Sequence, residues 1–283
     1  MSSRAEAGAA LRPWIENAPP RKGLPPLDAR ELWAHRELAL VLALKDLKVR
    51  YKQTFFGVAW ALLQPLIGVL IFSVIFGRLA HLPTDGTPYP VFSYVGLSIW
   101  LYVSSAVSTA AQSLVENRDL VTKVYFPRLL APLAALVPGL VDYVASLAVI
   151  AVFLGVYGVG PGWALVLLPF WVLAAAMVAL GAGLLLAALN VRYRDVRHAL
   201  PFLLQVWMFG SPVVYSSSIV HGSWRYAFAA NPMVTVIDGA RWSLADGPAP
   251  GVESLVSLLV TFCLLVVGFV YFRRVERHFA DVI

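Results

Sequence analysis

Residues 129–189 read LLAPLAALVPGLVDYVASLAVIAVFLGVYGVGPGWALVLLPFWVLAAAMVALGAGLLLAAL, and Asp142 is the one charged side chain among them. A bilayer core about 30 Å thick takes about 20 mostly apolar residues of helix. The stretch is too long for one crossing, and Gly158-Val159-Gly160-Pro161-Gly162 is a turn signal near its middle. It therefore predicts two membrane helices, over 130–157 and 163–189, joined by a tight loop.

The rest of the chain agrees with that reading. Of 283 residues, 59% are hydrophobic and only 13% charged, with a mean hydropathy of +0.74. A soluble domain carries roughly 25% charged residues, so this is an integral membrane protein. Four further apolar stretches predict spans over 55–76, 89–113, 199–216 and 255–272, the fifth in chain order being short. The lone cysteine, Cys263, lies in an apolar run and provides neither a disulfide framework nor a metal-ligand cluster.

Orientation follows from the basic residues, which stay cytoplasmic near span ends. With six spans and the N-terminus inside, nineteen of the 22 Lys and Arg fall on inner segments. Only Arg78, Arg225 and Arg241 fall on outer loops. Both termini are thus expected in the cytosol of a multi-pass protein of the inner (plasma) membrane. The net charge of +6 is read as membrane orientation and headgroup contact, not as nucleic-acid binding. Residues 1–27, without an apolar signal core, are expected to form a mobile cytosolic tail ahead of one transmembrane domain over 28–283.

Asp28-Ala29-Arg30-Glu31 looks like a capping box that opens a helix over about 28–52. There Leu40, Leu44, Leu47 and Tyr51 repeat at helical spacing beside a face of Lys45, Lys48 and Lys52, as in an amphipathic helix at the membrane interface. Between spans five and six, the apolar segment 228–245 is broken by Asn231-Pro232. It is either a plain outer loop helix or a re-entrant pair, allowed only where protein or a water-filled cavity satisfies its backbone.

No P-loop, H-E-x-x-H or G-x-S-x-G motif is present, so nucleotide binding through a P-loop is excluded. Asp142 sits inside a span, where a charge costs about 2.5–3.5 kcal/mol and must face protein or water. A hydrogen bond to a Ser, Thr or Tyr of another helix is its ordinary explanation, and lining a pathway its functional one. Trp60, Phe72, Phe76, Trp100, Tyr102, Trp207 and Tyr215 are aromatic residues in or at the ends of spans. They are membrane anchors or packing in the plain reading and candidate channel-lining groups in the sharper one, since flat rings suit the C–H faces of sugars. Two inner loops stand out. One holds Glu116, Asn117, Arg118, Lys123, Tyr125, Phe126, Pro127 and Arg128, mixing charges with apolar groups expected to be exposed for a protein partner. The other holds Arg192, Arg194 and Asp195.

Taken in order, KDLKVRYKQTFFGVAWALLQP, ENRDLVTKVYFPR, NVRYRDV, QVWMFGSPVVY, NPMVTVIDGAR and ERHFADVI resemble the transmembrane subunit of polysaccharide-exporting ABC transporters, the ABC type 2 permeases. The nearest likeness is to O-antigen and lipopolysaccharide exporter permeases, with teichoic acid and capsule exporters beside them. The resemblance implies an all-α membrane protein of six transmembrane helices, with an N-terminal amphipathic interfacial helix and re-entrant helices between spans five and six. It implies a homodimer bound to two copies of a separate ATPase, which would hold the ATP and Mg, and a lipid-linked polysaccharide as substrate. It makes the loop 116–128 the coupling element. Rival readings are a membrane-embedded glycosyl or acyl transferase, which would need clustered acids or histidines, and a gated channel without an ATPase.

Overall fold

In a computed structural model of the chain, the residues described are 29–52, 59–123, 126–193, 195–276 and 279. The capping sequence at Asp28, the tail 1–27, the junction 53–58 with Gly57, and Tyr125 and Arg194 lie outside them. All regular structure among these residues is helical.

Two helices come first, α1 (Ala29–Ala34) and α2 (Arg36–Lys52), separated at His35. Next, α3 (Ala59–Phe72) continues as a π-helical segment, Ser73–Leu79. The long α4 (Tyr89–Glu116) ends at Asn117 and is followed by the short α5 (Arg118–Lys123). After it come α6 (Leu130–Ala134) and α7 (Leu136–Tyr157), then a 3-10 turn (Trp163–Leu167) that leads into α8 (Leu168–Arg192). The series closes with α9 (Val196–Phe209), α10 (Trp224–Ala229), α11 (Pro232–Ala245) and α12 (Ser254–Val275). The predicted turn at 158–162 is present: Gly158 caps α7 with φ 67°, a left-handed conformation that costs glycine least.

Among the described residues, five helical stretches are long and apolar enough to cross a membrane: Leu62–Leu79, Tyr89–Glu116, Leu130–Tyr157, Trp163–Arg192 and Ser254–Val275. The predicted span over 199–216 departs from this pattern. Its helix α9 has 14 residues and stops at Phe209. Gly210 and Pro212 follow; proline has no N–H to extend the ladder and disfavours helix in the residue before it.

The core explains the order of the layers. Tyr94, Val95, Ile99, Val103, Ala106, Val107 and Leu114 are all buried along α4, which packs against α7, α8 and α11. Through small residues, α8 meets α12: a Cβ added at Gly268 would stand 2.2 Å from the carbonyl oxygen of Gly181. Such close approach is how helices gain contact in lipid, where apolar burial alone gives no driving force. Gly268→Val is therefore expected to push α12 off α8. Overpacking costs about 1–3 kcal/mol and sometimes more, and the obstacle here is backbone, so a several-fold fall in monodisperse protein on size-exclusion chromatography is expected. Elsewhere α3, α7 and α12 keep Leu70, Val144, Leu255 and Leu259 exposed, as a lipid-facing surface would.

A second apolar cluster lies where α4 ends. Leu42 and Ala43 of α2, Phe126, Leu129, Leu130, Leu184 and Phe272 meet Phe279 there, and the rings of Phe272 and Phe279 are 5.3 Å apart at 72°. This cluster ties the chain between α5 and α6 to α2, α8 and the end of α12.

Candidate functional site

A groove of about 740 Å³ opens between α2, α3, α4, α7 and α9. Its α4 wall carries the hydroxyls of Ser98, Ser104, Ser105, Ser108 and Thr109, which fall on one side because helical residues three and four apart are neighbours. Trp100 and Tyr102 also line it, although each is almost fully buried. Trp207 packs edge-on to Trp100 with 5.6 Å between ring centroids. The other aromatic candidates lie apart: Phe72 and Phe76 pair with each other at 5.9 Å, and Tyr215 lies 6.3 Å from Phe228. Trp60 belongs to the first turn of α3.

Asp142 faces this groove and has two partners from α2. Arg50 Nη2 stands 2.9 Å from its Oδ2, and the Tyr51 hydroxyl donates to its Oδ1. The same Arg50 donates through Nη1 to Ser105 Oγ at 2.9 Å, so one guanidinium joins α2, α4 and α7. Burial, and then the bond to Asp142, push the Tyr51 hydroxyl up to about 12. The tyrosine bond anticipated for Asp142 is present, with an ion pair beside it that spacing did not disclose. Asp142→Asn should cost about 1.5–3 kcal/mol, the usual worth of a hydrogen bond to a charged group, read as a lowered midpoint in thermal unfolding in detergent.

Around the end of α4, Glu116, Arg118 and Asp119 are exposed. Lys123 Nζ lies 3.1 Å from Asp119 Oδ1, with both side chains mostly in solvent. Asn117 accepts from Lys45 Nζ at 2.6 Å. Phe126, expected to be exposed for a partner, is only 4% exposed. It sits in the cluster beside Phe272, and Arg128 Nη1 donates to the carbonyl oxygen of Glu276. Pro127 is half-buried. Among its described residues, the exposed face of this element is thus polar and belongs to α5, while Phe126 anchors it. In the next loop on the same side, Arg192 and Asp195 are exposed, and the Arg192 guanidinium lies 5.3 Å from the ring centroid of Tyr193.

At the opposite end, where α4 begins, lies a polar centre that sequence reasoning missed. Arg241, assigned to an outer loop, is 5% exposed inside α11. Its Nη2 donates to Val213 O at 2.8 Å and its Nε to Phe92 O at 3.3 Å. The guanidinium carbon stands 3.5 Å from the Phe92 ring centroid, and Asp238 Oδ1 is 3.6 Å from Nη1. Gly96 makes room for it, since a Cβ there would come within 2.6 Å of Nη2. The pair at i and i+3 in an otherwise apolar helix was the available signal.

Among the described residues, Arg241 is one of four side chains that donate to backbone carbonyls of residues 209–214, where α9 ends. Tyr215 Oη donates to Phe209 O at 3.1 Å, Asn231 Nδ2 to Gly210 O at 2.9 Å, and Tyr89 Oη to Val214 O at 2.7 Å. Asn231 also caps α11 by accepting from Met233 N at 3.0 Å and accepts from Trp207 Nε1 at 2.9 Å. Carbonyls that a helix would satisfy internally are here satisfied by side chains.

Comparison with known proteins places the chain among transporters. The family model described as ABC-2 type transporter matches residues 37–245. The chain is 33% identical over 259 residues to the O-antigen export system permease protein RfbA of Myxococcus xanthus, covering 89% of this chain and 97% of that protein. An RfbA of Klebsiella pneumoniae is 26% identical over 87% of the chain and 95% of its own length. The polysialic acid transport protein KpsM of Escherichia coli is 26% identical over 83% and 92%.

Proposed function

The chain belongs to the ABC-2 type transporter family, and on that premise we propose that it is the membrane-spanning permease of an O-antigen-type polysaccharide exporter in the inner membrane. The observation that carries this reading is the 33% identity to an O-antigen export permease across nearly the full length of both chains. Capsule export, as in the name of the KpsM relative, ranks second, with teichoic acid export beside it.

The exporter is a homodimer of this chain with two copies of a separate ATPase, which holds ATP and Mg. The substrate is a lipid-linked polysaccharide that passes between the two copies. The α4 C-terminal end faces the cytosol, as do both termini, because the basic residues concentrate there. The membrane domain extends over 28–283 behind the cytosolic tail 1–27. Exposed Leu40, Val41, Leu44 and Val49 beside Lys48 and Lys52 suit α2 to headgroup level.

Six crossings are completed by α9 together with residues 210–220. At about 1.5 Å per residue, a 14-residue helix reaches about 21 Å and leaves about 9 Å of the core to irregular chain. Irregular backbone survives at that depth only with its polar groups satisfied by protein, and the bonds from Tyr89, Tyr215, Asn231 and Arg241 meet that requirement. The same reasoning supports α10 and α11 as a re-entrant pair, since α11 is enclosed by α4, α8 and α12.

The coupling element is Glu116–Arg128, with α5 as the docking surface and Phe126, Pro127 and Arg128 as its anchor. The loop with Arg192, Arg194 and Asp195 lies on the same cytosolic side. Trp100, Tyr102 and the serines of α4 form the sugar-facing wall of the groove, and Trp60, Phe72, Phe76, Trp207 and Tyr215 remain candidates for the channel surface.

Deleting the gene should leave the finished lipid-linked glycan inside the cell, detected by surface labelling against total glycan after lysis. Normal surface glycan in the deletion strain would overturn the export reading. Co-expression with its cognate ATPase should yield a stable complex, and the isolated chain should hydrolyse no ATP.

A further inference from the structure

The polar centre around Arg241 borders a cavity of about 280 Å³ at the α4 N-terminal end, enclosed by the start of α4, the 217–228 segment, α11 and the 247–254 segment. Pockets for drug-sized ligands begin at roughly 300 Å³, so the space suits one small ring and not a length of polymer. Asp85, Asp238 and Glu253 line it against two cations, Arg225 and Arg241. That balance is negative by one formal charge.

Several observations point to a polar, neutral occupant. Arg241 Nη1 is buried without a hydrogen-bond acceptor, with Asp238 at ion-pair but not bonding distance. Buried donors in native proteins are nearly always satisfied, and an orphan calls for an explanation. Asp85 accepts from Ser218 Oγ at 2.8 Å and from Ser216 Oγ, so hydroxyl groups already occupy part of its capacity. The rings of Phe92 and Phe228 supply apolar walls. Among the described residues no group of three His, Cys, Asp or Glu could hold a metal ion, so the acids do not form a metal site.

We propose that this cavity is a saccharide subsite that takes one neutral sugar residue. Its carboxylates accept from sugar hydroxyls, Arg241 donates to one, and the partly exposed Phe228 ring meets a C–H face. Acidic sugars are excluded by the excess of carboxylates. The inference rests on the export reading and adds to it a contact made within a single subunit, at the end of the path away from the ATPase.

The test uses the full chain in nanodiscs with its ATPase. Exposed Cys263 is replaced in Cys263→Ser, and exposed Ala249, at the cavity edge, becomes the sole label site in Ala249→Cys. Maleimide labelling is timed with glucose, galactose, mannose, rhamnose or N-acetylglucosamine, and with glucuronic acid or N-acetylneuraminic acid. At least one neutral sugar should slow labelling about threefold when present at twice its dissociation constant, and the two acids should not. Glu253→Gln, at the partly exposed rim, should weaken that protection without loss of folded complex. Unchanged labelling with all five neutral sugars, or equal protection by the acids, overturns the subsite. Cells carrying Cys263→Ser with Ala249→Cys are assayed for surface glycan in parallel. Export without protection removes the subsite alone, whereas export in cells lacking the chain removes the reading beneath it.

Discussion

Arg241→Met is expected to cost about 3–5 kcal/mol, the range for breaking one side of a buried ion pair, and to abolish export by loss of folded protein. Two effects add. Asp238 is left without the cation 3.6 Å away, and the carbonyls of Val213 and Phe92 lose their donor. The measurement is the unfolding midpoint of purified protein in detergent, with yield as a second readout. The companion change Asp238→Asn removes the stranded charge, so the double variant should recover part of the loss, because contacting residues are not additive. An unchanged midpoint in Arg241→Met would mean that the chain beyond α9 is held by something other than this guanidinium.

Charge reversal on α5, in Arg118→Glu with Lys123→Glu, is expected to lower ATP-driven export about tenfold or more with folding intact. Both side chains are exposed and on one short helix, and like-charge juxtaposition across an interface costs several kcal/mol. The paired measurements are co-purification of the ATPase and surface glycan. Complete assembly and normal export would place docking elsewhere. Phe126→Ala should behave differently: it removes a buried ring from the cluster around Phe272 and costs about 3–5 kcal/mol, so its primary signature is thermal and not a selective loss of ATPase binding.

What could be read from the chain alone divides along a physical line. Features set by local composition were legible: the apolar lengths, the Gly158 turn, and the charged break after α4. Side-chain partners set by long-range packing were not. Nothing near Phe126 in sequence announces Phe272, and nothing near Asp142 announces Arg50, because their contacts join segments far apart in the chain. Arg241 misled for a further reason. Arginine between two spans reads as a loop cation, and its burial follows from Gly96 and Val213, which only the fold brings to it. The span over 199–216 was too optimistic as a helix because hydropathy measures apolar length and is blind to Gly210 and Pro212 as stop signals. Residues 1–28 and 53–58, with Gly57, fall outside the described structure, so the expectations for them stand as sequence readings.

The chain from Gly210 to Tyr215 is fastened by hydroxyl, amide and guanidinium groups contributed by α4, α11 and its own Tyr215. A helix can release backbone bonds only by unwinding a turn, a cooperative and costly act. A seam closed by individual side-chain bonds can open bond by bond and reseal with new partners, each step near the roughly 0.5–1.5 kcal/mol net worth of a single hydrogen bond. The weakest line through this wall therefore runs where the protein has given up regular structure, and hydrogen exchange should find it there before the flanking helices open.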